Sequence, residues 1–134
     1  GCGGEEAMAP ATQHLPVRLK LVGAGCDAGR VGDFRGFDAI LLAPRSERSA
    51  CVTGRPQTFA AIDDALAGRI AFRDLPEGKL TLKLQGYRDE GCRADKLGMC
   101  GIAEAQLAPA LMELEVPVAC DDVGGPAFTA CVGR

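Results

Sequence analysis

Between Val17 and Val22 the chain alternates, with Val17, Leu19 and Leu21 on one side and Arg18 and Lys20 on the other. A period of two predicts a half-buried strand. The same period returns more regularly at Lys79–Tyr87, where Leu80, Leu82 and Leu84 alternate with Thr81, Lys83 and Gln85. It predicts a sheet strand with one dry face and one wet face. Met112, Leu114, Val116 and Val118 make a last strong strand, with Glu113, Glu115 and Pro117 outward. A proline there suits an edge or a strand end, because it cannot donate to a ladder. Phe37–Ala43 is a short apolar run between Gly36 and Pro44, which predicts a buried strand. Arg69–Asp74 joins Lys79–Tyr87 in the clearest unit, with Ile70 and Phe72 inward and Arg69, Ala71 and Arg73 the other way; Gly101–Leu107 alternates weakly, and Phe128–Val132 is expected to add a short strand.

One segment departs from this pattern. Phe59, Ile62 and Leu66 recur at helical spacing, so Thr58–Ala67 predicts a short helix, with Thr58 as N-cap and Gly68 as stop. Asp63 and Asp64 fall off the apolar stripe and read as a solvated helix face rather than a cation site. Leu75-Pro76-Glu77-Gly78 carries turn chemistry between two strands. Residues 1–15 show no period and read as a flexible linker, leaving residues 16–134 as one domain.

Composition narrows the core and the partners. Five Phe, one Tyr and no Trp leave a core of aliphatic side chains. The net charge is −3 with scattered Lys and Arg, which gives no basic face for nucleic acid. No apolar run approaches the roughly 20 residues of a membrane-spanning helix.

Seven cysteines change the picture most. The one histidine, His14, stands apart from them and no close Cys pair exists, so the pattern reads as disulfides rather than a zinc site. Disulfides imply an oxidising compartment and an exported chain. Cys26, Cys51, Cys92, Cys100, Cys120 and Cys131 are expected to form three bridges. Cys92–Cys100 is the most local pair. Cys26–Cys120 and Cys51–Cys120 are both open for the long-range one, with Cys131 taking a remaining partner. Cys2 is left over, in Gly1-Cys2-Gly3-Gly4-Glu5-Glu6. This start resembles that of a mature bacterial lipoprotein, which implies lipid on Cys2 and an anchor in the outer membrane at the cell envelope.

The stretch Ile70–Tyr87, IAFRDLPEGKLTLKLQGY, resembles the transthyretin-like, carboxypeptidase-regulatory-like domains. Phe72, the Leu75-Pro76-x-Gly78 turn, the alternating Leu80, Leu82 and Leu84, and Gly86-Tyr87 carry the likeness. It implies a seven-stranded, immunoglobulin-like (prealbumin-like) antiparallel β-sandwich without activity of its own. The helix at 58–67 is then an insertion. Leu80 stands where the family often has an aromatic, and the six cysteines are not a family feature. The cysteine content is similar to that of cysteine-rich lipoproteins of delta-proteobacterial type.

Catalytic chemistry is sparse. His14 has no nucleophile beside it, and Ser46 and Ser49 sit in no nucleophile elbow. No glycine-rich phosphate loop opens a helix. Asp27, Asp33 and Asp121 would converge as calcium ligands only if Cys26 bonds Cys120. The reading is therefore no catalytic residue, no cofactor and no metal. The expected function is a non-enzymatic envelope module for a protein partner. A carbohydrate-binding module and a subunit of a surface fibre are the alternatives.

Overall fold

The computed structural model describes residues 12–13, 18–107 and 113–134. Its strands are β1 (Thr12–Gln13), β2 (Arg18–Gly23), β3 (Gly36–Ala43), β4 (Glu47–Arg48), β5 (Val52–Thr53), β6 (Leu75–Pro76), β7 (Gly78–Tyr87), β8 (Leu97–Leu107) and β9 (Glu113–Cys120). Two α-helices join them, α1 (Phe59–Leu66) and α2 (Gly125–Val132). Seven strands form one sheet in the order β2-β9-β8-β7-β3-β4, with β5 also on β3; β1 and β6 make a separate pair.

The chain is mainly β, as the alternation predicts, but its sheet is mixed. β2 runs parallel to β9 along Arg18–Gly23, which corrects the expectation of an antiparallel sheet. β9 is also not an edge strand. It pairs with β2 along most of its length and with β8 only at Val118, Ala119 and Cys120. Pro117 stands at the point where the β8 ladder stops, where a missing N–H costs nothing. β9 thus turns a corner, leaving one partner for the other, a device by which strands change sheets.

One face of the sheet carries the core. Leu19, Leu21, Phe37, Leu41, Leu80, Leu82, Leu84, Val116 and Val118 are all buried there. Ile62 and Leu66 of α1 close over it, together with Val31, Phe34, Ile70 and Phe72. Thr58 caps α1, its Oγ1 accepting from the Ala61 N–H at 3.0 Å, and Gly68 ends the helix with φ +73°. Asp63 is not a solvated helix residue. Its Oδ1 accepts from the Leu21 N–H at 3.0 Å, occupying a donor on the outer edge of β2. Burial lifts the Asp63 carboxyl above its usual range, against that hydrogen bond. Asp64 pairs with Arg18 at 2.5 Å.

Three further expectations are corrected. Arg69–Asp74 is not a strand: Ile70 and Phe72 are buried in turn, but among the described residues no strand pairs with this segment. Leu75-Pro76 does not merely turn, since it pairs with Thr12–Gln13, within the segment read as linker. Phe128–Val132 belongs to α2, because Pro126 presets the first helical turn.

Three disulfides form: Cys26–Cys120, Cys51–Cys92 and Cys100–Cys131. The local pair Cys92–Cys100 does not. Cys100 lies inside β8, opposite Gln85, while Cys92 lies beyond the end of the sheet. Cys92 meets Cys51 over Gly36, where an added Cβ would stand 3.1 Å from the Cys92 sulfur and 3.4 Å from that of Cys51.

Cys26–Cys120 joins residues 94 positions apart, so it restricts the unfolded chain most. Replacing both cysteines by alanine is expected to lower the unfolding free energy by about 2–5 kcal/mol. Thr58→Ala should cost only about 1 kcal/mol. Urea denaturation checks the ranking, and equal losses would contradict it.

Candidate functional site

The register brings four loops to one end of the sheet. Gly36 faces Tyr87, Tyr87 faces Leu97, Met99 faces Cys120, and Gly23 faces Val118. Residues 24–35, 54–58, 88–96 and 121–124 therefore leave the strands together. Two disulfides clamp them, Cys26–Cys120 on one side and Cys51–Cys92 on the other. Main-chain bonds stitch between them: Ala24 N–H to Val118 O at 2.8 Å, Cys120 N–H to Gly25 O at 2.9 Å, and Asp121 N–H to Gly98 O at 3.0 Å. A loop end held this way loses little entropy on binding.

Charge at this end is paired. Arg88 donates twice to Asp121, at 2.8 and 2.9 Å. Those bonds hold the Asp121 carboxyl below its ordinary range. The Arg88 guanidinium also lies 5.3 Å from the centre of the Phe34 ring, a cation–π distance. Arg30 meets Asp122 at 2.6 Å and Asp33 at 3.7 Å. The Cys26–Cys120 bridge forms, but Asp33 and Asp121 are each paired with an arginine rather than gathered for a metal ion. Asp89 accepts from the Gly91 and Arg93 N–H groups and shapes the loop. Among the described residues no group of three His, Cys, Asp or Glu could hold a metal ion.

The second notable region is the sheet face opposite the core. The alternation of β7 predicts a wet face there, and this is corrected. Thr81, Lys83 and Gln85 are only 4%, 5% and 6% exposed. α2 lies over part of this face, bonded to β8 through Cys100–Cys131. Lys83 Nζ donates to the main-chain oxygens of Arg134, at 3.0 Å, and Val132, at 3.5 Å. An ammonium at a helix C-terminus meets the negative end of its dipole. Burial pulls the Lys83 amine below its usual pKa, with the charge of Asp38 working the other way.

Asp38 is the buried charge of the face, at 1% exposure. Arg48 of β4 donates to it at 2.6–2.7 Å and to the Tyr87 hydroxyl at 3.1 Å. The phenol has one proton for three oxygens, Gln85 Oε1 at 2.7 Å and the two of Asp38 at 3.1 and 3.2 Å. No buried side-chain polar atom among the described residues is left without a partner. The network ties β3, β4 and β7 together through side chains. Ser49 accepts from Ala39 N–H and donates to Ala50 O.

Between α2 and the corner of β9 runs an open groove of about 360 Å³. Ile102, Pro117 and Ala119 line its floor side, Ala127 and Ala130 its helix side, with Arg134 among its lining residues.

Of the predicted site residues, six cysteines stand in bridges, while Cys2 lies outside the described residues. The sequence reading missed Asp38, Arg48 and Lys83. Asp38 interrupts an apolar run, and a carboxylate in a buried strand requires a partner; that was the available signal. Three disulfides point to an oxidising compartment, extracellular or periplasmic, and no helix among the described residues is long and apolar enough to cross a membrane. Comparison with family models, with curated proteins and with solved structures finds no match to the chain.

Tyr87 is the one tyrosine and there is no Trp, so its absorbance reports this face alone. Burial first, and the Asp38 charge second, push the phenol above its usual pKa. A raised native pKa contributes stability that is full below the unfolded value of about 10 and lost as pH rises through the native one. Phenolate absorbance is expected only when the chain unfolds in alkali, in one cooperative step with loss of circular dichroism. A phenolate titrating near pH 10 in the folded chain would contradict the sealed face.

Proposed function

We propose that the chain is a non-enzymatic cell-envelope lipoprotein, anchored in the outer membrane by lipid on Cys2, whose β-domain binds or scaffolds a protein partner. The observation that carries this reading is the clamped loop end. Four loops, two disulfides and the Arg88–Asp121 and Arg30–Asp122 pairs make one rigid surface. Binding residues gather on loops that a rigid scaffold positions. The oxidising compartment fits an exported chain.

The finer fold in this reading is a transthyretin-like, immunoglobulin-like sandwich. Support for it is the corner in β9, which divides the strands into a β2–β9 part and a β8–β7–β3 part around the core. In that view the loop end is one end of the sandwich. Sugar binding is the weaker alternative, since sugars favour exposed rings and Tyr87, Phe34, Phe37 and Phe72 are all buried.

Two measurements test the proposal. Mass spectrometry of the protein from its native membrane is expected to find acyl chains on Cys2; an unmodified Cys2 removes the anchor. Cross-linking in the native cell is expected to recover one partner through the loop end. Arg93→Ala and Asp95→Ala should each weaken that capture while changing stability by no more than about 0.5 kcal/mol. Capture that depends equally on Lys79, away from these loops, would argue against the loop end as the contact surface.

A further inference from the structure

The groove beneath α2 has a form that packing alone does not explain. An eight-residue helix is free to settle onto the sheet below it. This one is held at both ends instead. At its start Gly124 packs on β9, where an added Cβ would stand 2.8 Å from that of Ala119. At its finish Cys131 is bonded to Cys100, and Lys83 holds the oxygens of Val132 and Arg134. Between those ties the helix presents Ala127 and Ala130, and the sheet presents Ile102, Pro117 and Ala119. Short side chains on both sides leave the space open.

The chemistry of the walls selects an occupant. Apart from Arg134, the lining residues named here carry no side-chain hydrogen-bonding group. A peptide laid there would have its amides stripped of water with no side chain to replace it. A plain hydrocarbon chain meets no such cost and gains the burial of its own surface. Arg134 is the one charged residue of the lining. Arg134 lies 3.6 Å from Glu104, which is also 3.8 Å from Lys79, so the guanidinium is only loosely engaged. We propose that this groove binds a medium-chain free fatty acid, its hydrocarbon between α2 and the β8–β9 corner and its carboxylate on Arg134. The volume of about 360 Å³ falls in the lower range of small-molecule sites.

The test is calorimetric titration of the full, disulfide-intact chain with sodium decanoate below its micellar concentration. Saturable binding at one site is expected, with decyltrimethylammonium giving none. Ala130→Phe fills the groove from the helix surface and should abolish binding; Ala127→Leu should weaken it. Disulfide mapping and the Tyr87 circular dichroism confirm that both variants fold. Arg134→Gln should weaken decanoate about three- to fivefold, the size of an exposed ion pair, and Glu104→Gln should strengthen it by removing the competing carboxylate. Absence of saturable binding overturns the proposal. So does decanoate binding that survives Ala130→Phe, or a cationic amphiphile that binds as well as decanoate.

Discussion

The Cys100–Cys131 bond holds α2 over the part of the sheet face where Lys83 lies. α2 is eight residues long, and Cys131 is its one buried residue. So short a helix is not stable alone in water, and its own packing offers little to hold it. The covalent tie to the middle of β8 keeps it over the sheet, and Lys83 fastens the same end through the last carbonyls. With the helix in place, Lys83 loses its water, while Gln85 is held beside Tyr87 and Asp38. A face patterned as solvent-exposed becomes a second interior, polar where the first is apolar.

That second interior is stable because it is complete. A carboxylate as buried as Asp38 is costly unless its charge and lone pairs are met. Arg48 meets the charge, and Tyr87 shares a proton with the carboxylate and Gln85. Arg48 reaches in from a two-residue strand and also touches the carbonyl of Cys92 at 3.5 Å, so the network joins β3, β4, β7 and the loop bridged to Cys51. The loop end thereby gains a foundation beneath its disulfides. The domain combines an apolar core, a satisfied polar face and a clamped set of loops, an arrangement suited to presenting a fixed surface.

How much of this was readable from the residues depends on the range of the interaction concerned. Strands β2, β7 and β9 follow from local alternation, since the sheet pleat imposes a period of two on any strand with one buried face, and β3 follows from its short apolar run. The helix at Thr58 follows from spacing and a cap, both local. What failed was non-local. The parallel pairing of β2 with β9 depends on which strands meet, which alternation does not encode. Cys92 and Cys100 are close in sequence, yet register sends one into the sheet and the other past its end. The dryness of Lys83 depends on a helix some 50 residues later and on one bridge, so a strand read by itself looked half wet. The acids near Cys26 do not come together as a calcium site, because arginines from separate loops, Arg30 and Arg88, take Asp33 and Asp121 into separate ion pairs.

The most direct measurement is the amine reactivity of the native, oxidised chain, read lysine by lysine by mass spectrometry. Lys20, Lys79 and Lys96 are exposed and serve as internal references. The account expects Lys83 to be protected, and to react like the references once Cys100 and Cys131 are both replaced by alanine in a chain whose other two disulfides remain. A Lys83 that reacts as fast as Lys79 while the Cys100–Cys131 bond is intact would contradict it.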